Sequence, residues 1–425
     1  MNKITVGFLG LGVVGAELVN IIRVNQETII RNYGVKVEIG KIFIRDMNKK
    51  RGTDISSLQL TTNVEEVIDD NEIDIICECM GGAGTEKTKE YIIRSINNNK
   101  SIIMSSKKTL AYYGKDIIPL AGESEIDLRY DATVGGGIPI AKILTSCFKG
   151  ESITKIVGIL NATSNFIYSK MENDVVSFKE ALKEAQSLGY AENDPTEDIG
   201  GFDSLYKGII LAVFAMNKWV DVNQLSTTPF STISLTDMNY ALELGYSIKP
   251  LVIFKNSNGT LLYRIGPCLI KKDHIVANTS DNYNMIVIEG SNSGVLGFYG
   301  QGAGSLPTAS AMFDDLISII EKNNNDHFNS KLKQIKNFNN VEEYNNSLYW
   351  RLTVKNVIGN LSRITAIFSS YKINIEKLIQ KNEQKNTVDV VLLTSRIELN
   401  QLSNLTDELN SFDSKVESII PFFED

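Results

Sequence analysis

The sequence is poor in histidine. Among its 425 residues there are two, His274 in "KKDHIV" and His327 in "NNNDHFNS". Both contexts are polar and read as surface loops. If the chain moves protons in catalysis, histidine, the commonest acid or base, is not the group that does it. Cysteine is also scarce: Cys77, Cys79, Cys147 and Cys268 are the four. They form no CxxC or other zinc-binding spacing. Their small number suggests a reducing cytosol and hence a cytoplasmic location. Cys77 and Cys79 fall in an apolar strand and read as buried thiols. No apolar run is long enough to span a bilayer. "MNKITVGFLG" enters a strand directly, with none of a signal peptide's cleavage region. Positive charge is not in excess either. The formal net charge is -8, which argues against a broad nucleic-acid surface.

What is present is the composition of a soluble globular chain, 43% hydrophobic and 22% charged. Its length implies two or three domains. The expected class is α/β. "KITVGFLG", "VKVEIGKIFIRD", "EIDIICECM" and "KSIIMSS" read as strands alternating with helices, the pattern of a parallel sheet covered on both faces. This predicts a Rossmann-type dinucleotide-binding domain over residues 1–134, completed by about 300–322, where "LPTASAMFDDLISII" reads as a returning helix. Residues 135–305 read as an α+β substrate-binding, catalytic and dimerisation domain. The Asn- and Lys-rich stretch 323–346 reads as a linker. Residues 347–425 follow the order βαββαβ of a ferredoxin-like unit.

The glycines of "GLGVVG" (Gly10, Gly12, Gly15, with Val13 and Val14 between) follow a strand and open a helix, the context that gives a GxGxxG its meaning. The first permits a tight turn, the second a close approach to pyrophosphate, and the third close helix packing. The helix start then offers free N–H groups to the phosphates. After the second strand comes "FIRDMNKKR". Arg45 and a nearby lysine suit the 2′-phosphate of NADP, while Asp46 keeps NAD open.

Other segments carry chemistry. "SSKKTLAYYG" places Lys107 and Lys108 at a strand end, where open α/β sheets bind ligands. "YDATVGGGIP" reads as a close-approach loop or an interdomain turn. "GILNATSNFIYSKM" sets Asn161, Thr163, Ser164 and Asn165 after a strand, to contact a ligand or to cap the next helix. In "AENDPTEDIGGFDSLYK" the density of acids suggests a metal loop, but no histidine or cysteine joins it. Asp194, Glu197 and Asp198 read as turn, cap and helix-start residues. Asp203 and Lys207 are i,i+4 neighbours at the start of a strongly apolar helix, a placement that points to a cavity.

"LNATSNFI", "EAQSLGYAENDPTEDIGGFDSLYKGIILA", "VGGGIP" and "GQGAGSLPTASA" together resemble homoserine dehydrogenases, along essentially the whole chain. The resemblance implies NADPH- or NADH-dependent reduction of L-aspartate 4-semialdehyde to L-homoserine, on the route to threonine, methionine and isoleucine. It implies Lys207 as proton donor, Glu192 as the carboxylate for the substrate's amino group, and Asp203 beside the catalytic lysine. Lys107 stands where the family has the lysine of "ANK", in contact with cofactor and substrate. The reading of the residues leaves either lysine able to deliver the proton. The cofactor set is Gly10, Gly12, Val13, Val14, Gly15, Arg45, Lys107 and Gly302, with NADP preferred over NAD. A backbone sodium site maps to Asp131, Val134, Gly136 and Ile138, with Asp131 in place of the family's glutamate. The C-terminal unit resembles a regulatory ACT domain. Its usual "DxPG" turn is "NVIG" (Asn356–Gly359), so threonine control and a purely structural pairing role both stay open. A homodimer or homotetramer is expected, since open sheet edges tend to pair. Two other readings are a catalytically dead sensor and a different dinucleotide enzyme. Retention of Glu192, Asp203, Lys107 and Lys207 opposes the first. The lack of a loop cysteine opposes a thioester-forming semialdehyde dehydrogenase.

Overall fold

The computed structural model describes residues 2–81, 84–321, 333–334, 338–340, 346–381 and 386–422. The first unit contains, in order, β1 (Asn2–Leu9), α1 (Val13–Tyr33), β2 (Val35–Phe43), β3 (Gln59–Thr61), α2 (Glu65–Ile68), β4 (Ile75–Glu78), α3 (Thr85–Asn97), β5 (Ser101–Met104), α4 (Lys107–Glu123) and β6 (Leu128–Arg129). Its sheet runs β3-β2-β1-β4-β5-β6, and every pair is parallel. Period-2 alternation explains why these strands are apolar throughout. Val6, Phe8, Ile75, Cys77 and Ile103 pack on the α1 side, while Leu9, Ile76, Ile102 and Met104 pack on the side of α2, α3 and α4. The strand order reverses between β1 and β4, so a crevice opens at their carboxyl ends.

The second unit holds α5 (Ile140–Ser146), β7 (Ile153–Ile159), α6 (Ala162–Asp174), α7 (Phe178–Ser187), α8 (Thr196–Ile199), α9 (Phe202–Met216), β8 (Lys218–Trp219), α10 (Leu235–Glu243), β9 (Tyr246–Ser257), β10 (Thr260–Lys271), β11 (Tyr283–Gly290) and β12 (Gly294–Gln301). Its main sheet is ordered β12-β11-β7-β9-β10, with antiparallel neighbours. Helix α9 lies on this sheet, and every residue from Asp203 to Phe214 is buried. Gly208 allows the approach: a Cβ there would stand 2.7 Å from both Phe254 and Val252 on β9. Helix α11 (Ser305–Ile320) then returns to the first unit, burying Ala309, Met312 and Leu316 in the same cluster as Leu18, Val19 and Ile22 of α1.

Most of the stretch read as a linker lies outside the described residues, as does His327. Two pieces within it are short strands. β13 (Lys333–Gln334) pairs with β8, and β14 (Phe338–Asn340) adds to β10 in parallel. Polar composition gave no hint of this pairing, since strands this short carry little apolar signal.

The last unit is β15 (Asn346–Lys355), α12 (Asn360–Ser370), β16 (Ile375–Lys381), β17 (Thr387–Ile397), α13 (Leu399–Asn410) and β18 (Ser414–Pro421). Its order, β16-β17-β15-β18, is antiparallel throughout, which is the ferredoxin-like arrangement. Along β15, Leu348, Trp350, Leu352 and Val354 pack with Ile364, Phe368, Leu405 and Leu409 of the two helices. The alternate residues face the second unit. Arg351 donates to Asp237 on α10 (Nε–Oδ1, 2.7 Å), and the Tyr349 hydroxyl donates to the same oxygen at 3.2 Å.

Candidate active site

The crevice begins at the turn into α1. Gly10 has φ +103, and a Cβ there would meet the Cys79 carbonyl oxygen at 2.6 Å. Gly15 packs close to the Gly10 carbonyl, where a Cβ would stand 2.8 Å away, whereas the space above Gly12 is open. No side chain caps the first amides of α1, so they are available to a phosphate. A cavity of about 690 Å³ extends from here. Gly10, Gly12, Val13, Val14, Arg45, Asp46, Lys49, Arg51, Met80, Ser105 and Glu192 are among its lining. A nicotinamide dinucleotide fits this donor set: open helix amides for the pyrophosphate, and a basic turn after β2 for the ribose end. One oxygen of Asp46 accepts from the Asn48 amide at 2.8 Å, which occupies part of that carboxylate locally. Glu192, from the loop before α8, joins this wall. Gly302 is buried, tight against the side chain of Asn284.

Asp203 is the centre of a charged cluster. It occupies the first turn of α9, where a carboxylate suits the helix dipole. Its Oδ2 lies 2.8 Å from Lys207 Nζ, and its Oδ1 lies 2.5 Å from Lys107 Nζ, which reaches over from α4. Asn161 Nδ2 donates to Oδ2 at 2.9 Å. Burial opposes ionisation of Asp203, but the charges of Lys107 and Lys207 outweigh it and hold the carboxyl well below its usual range. The two lysines are tuned in opposite directions. The Asp203 charge raises Lys107, against some opposition from burial. Lys207 is lowered, mainly by burial and also by the Lys107 charge, with Asp203 acting against both. Lys207 also donates to the Leu160 carbonyl at 2.8 Å. The adjoining Lys108 pairs with Glu197 on α8 at 2.5 Å, a further ion pair between the two units.

Sequence reading missed part of this cluster. Asn161 caps α6 through the Ser164 amide at 2.7 Å, but its other amide atom serves Asp203 and also Asp198, at 2.7 Å from Asp198 Oδ1. Asp198 lies in the first turn of α8, as a helix-start residue should, and also belongs to this cluster. It is half-buried, and burial together with the Asp203 charge raises its pKa. Asn284 Nδ2 shares the Leu160 carbonyl at 3.2 Å. A main-chain acceptor at a strand end leaves no side-chain signal to read. Cys77 and Cys79 are buried as expected, with their thiols pushed up by burial. His274 uses Nδ1 to cap a short turn at the Val276 amide and takes no part in the cluster.

The loop carrying Asp131, Val134, Gly136 and Ile138 is buried between the units. Asp131 donates its N–H to Asp315 on α11 at 3.0 Å and accepts from the Lys142 amide at 2.9 Å. No helix among the described residues is long and apolar enough to cross a membrane.

Two family models match the chain: "Homoserine dehydrogenase, NAD binding domain" over residues 10–131 and "Homoserine dehydrogenase" over residues 139–317. The homoserine dehydrogenase of Bacillus subtilis is 32% identical over 420 residues, covering 97% of this chain and 96% of that one. That of Neisseria gonorrhoeae is 34% identical over 404 residues, covering 93% and 92%. Among solved structures, a homoserine dehydrogenase from Thiobacillus denitrificans superposes with a TM-score of 0.89 at 33% identity, covering 100% of this chain and 99% of that one. Two matching family models, and relatives that align with the chain almost from end to end, place this chain in the homoserine dehydrogenase family, as an oxidoreductase using a nicotinamide dinucleotide.

Proposed function

We propose that the enzyme reduces L-aspartate 4-semialdehyde to L-homoserine with NADPH in preference to NADH, and that Lys207 delivers the proton. The bound dinucleotide supplies the hydride; the rest of the chemistry belongs to side chains of this protein. Reduction turns a carbonyl oxygen into an alkoxide, which needs a proton within hydrogen-bond reach. Two of the three ammonium hydrogens of Lys207 have partners, Asp203 and the Leu160 carbonyl, so the third is left for the substrate oxygen. Its lowered pKa makes it the readier donor of the two lysines. Lys107, with its proton held more tightly, polarises the carbonyl. Asp203 holds both ammonium groups, and Glu192 takes the substrate's amino group. The preference for NADPH rests on Arg45, Lys49 and Arg51 in the cavity lining.

The observation that carries this reading is the division of the Asp203 carboxylate between two lysines from two units. Its test is nicotinamide absorbance followed with L-homoserine, using the wild type and the Lys207→Ala and Lys107→Ala variants. Homoserine-dependent turnover that survives Lys207→Ala, with loss confined to Lys107→Ala, would transfer the proton to Lys107.

The carbonyls of Asp131, Val134, Gly136 and Ile138 are proposed as a sodium site. Activity that depends on sodium when potassium replaces it is the check. Threonine control through the C-terminal unit is proposed on the strength of its ferredoxin-like order and its buried docking to α10. Millimolar threonine that leaves turnover unchanged removes it. A cytoplasmic location agrees with the free cysteines, and a homodimer or homotetramer agrees with the open edge of β12, where Val295 and Tyr299 are exposed. Sedimentation gives the subunit number.

A further inference from the structure

Glu78 ends β4 between two buried cysteines and is itself fully buried. Such a carboxylate ordinarily has a cation beside it. Among the described residues no lysine or arginine pairs with it. Its partners are main-chain amides from two different loops. Oε1 accepts from Met80 N at 2.8 Å, and Oε2 accepts from Ser105 N at 3.2 Å and Ser106 N at 2.8 Å. Its own carbonyl accepts the Ser105 hydroxyl at 2.8 Å. Met80 and Ser105 line the dinucleotide cavity. Ser106 is the N-cap of α4, and Lys107 is the first residue of that helix.

We infer that Glu78 is a positioning residue for the reaction, the group that aims Lys107 across the crevice at Asp203. The direction in which α4 leaves the sheet is set where Ser105 and Ser106 are held, and Lys107 follows directly. The Ser105 amide is shared with the Glu78 carbonyl, also at 3.2 Å, but the Met80 and Ser106 amides each take one carboxylate oxygen. The neutral amide of glutamine has one acceptor oxygen, and its NH₂ would face an N–H, donor against donor. The inference rests on the role proposed above for Lys107. It adds that this role depends on an acid that touches neither substrate nor dinucleotide.

The test is a double-mutant cycle on kcat/KM for homoserine oxidation, using wild type, Glu78→Gln, Lys107→Ala and the double variant. Misplacing Lys107 by about 1 Å lowers kcat/KM by about 10-fold or more when Glu78→Gln is made in the wild type. In the Lys107→Ala background the same change costs less than about 2-fold, because nothing remains to be aimed. Equal losses in both backgrounds overturn the inference while leaving Lys107 its role. Full activity of Lys107→Ala overturns both. If Glu78→Gln does not fold, Ser106→Pro replaces it in the cycle. Ser106 has φ -78, which proline adopts, and the substitution deletes one of the three amides. Ser106→Ala is then the control for the lost hydroxyl. Ser106→Pro must show the same dependence on Lys107 beyond that control; equal behaviour of the two variants overturns the inference.

Discussion

Lys207 and Asp203 stand four residues apart on one helix and 2.8 Å apart in space, both buried on the same face. The i,i+4 spacing makes the contact local, so it forms with the helix itself. Burial sets this pair apart from the exposed i,i+4 pairs of helix surfaces, which add little.

Replacing Lys207 by alanine removes the proposed donor, which is not among the cavity lining. The expected result is a fall in kcat of about 10²–10⁴-fold, with NADPH binding close to wild type when titrated by fluorescence. Near-wild-type turnover contradicts the assignment.

The pH profile should follow from the direction of the Lys207 shift. The donor is the ammonium form, so aldehyde reduction weakens as pH rises through its pKa, and homoserine oxidation gains over the same interval. Both limbs lie below the ordinary lysine value of 10.5. Asp203 is the group that raises Lys207, so Asp203→Asn shifts the limb to lower pH. A limb that stays in place or moves up contradicts the coupling.

Arg45 lines the cavity at the ribose end. Losing a charged hydrogen bond to a 2′-phosphate costs about 1.5–3 kcal/mol, or about 10–100-fold in kcat/KM. Arg45→Ala should show that loss with NADPH and little change with NADH. Equal losses with both cofactors point to a general role in the turn.

Arg351 and Asp237 form a buried ion pair between β15 and α10, with side chains 13% and 1% exposed. Removing Arg351 takes one charge-assisted hydrogen bond from Asp237, which keeps the Tyr349 hydroxyl and Ser234, and costs about 1.5–3 kcal/mol. Arg351→Met should lower the urea midpoint of unfolding accordingly. An unchanged midpoint means that the unit is held by its apolar contacts, such as Tyr246 against Phe422.

How far all this was legible depended on the kind of signal each residue leaves. Strand alternation and the glycines of the first turn report on backbone and packing, so the parallel sheet and its crevice were readable. Asp203 and Lys207 were readable because helical spacing makes them neighbours. Lys107 was readable as a lysine at a strand end, but it comes from a separate unit, and no local pattern joins it to Asp203. Asn161 was readable as a cap, which hid its second amide bond. Asp198 looked like one acid of a turn, because what raises its pKa is burial by distant chain. Glu78 was invisible inside an apolar strand. Its function is defined by three amides of other residues, and amides carry no letter of their own in a sequence.

The Lys107–Asp203 contact has a mechanical side. One partner belongs to the nucleotide unit and the other to the catalytic unit, so the ion pair also gauges how wide the crevice stands. Coulomb attraction falls with distance and falls further once water enters the gap. A wider crevice would leave Asp203 with one lysine instead of two, and Lys207 without a neighbouring positive charge. Its hold on a proton then strengthens. The separation of the two units and the basicity of Lys207 are thereby tied to one contact.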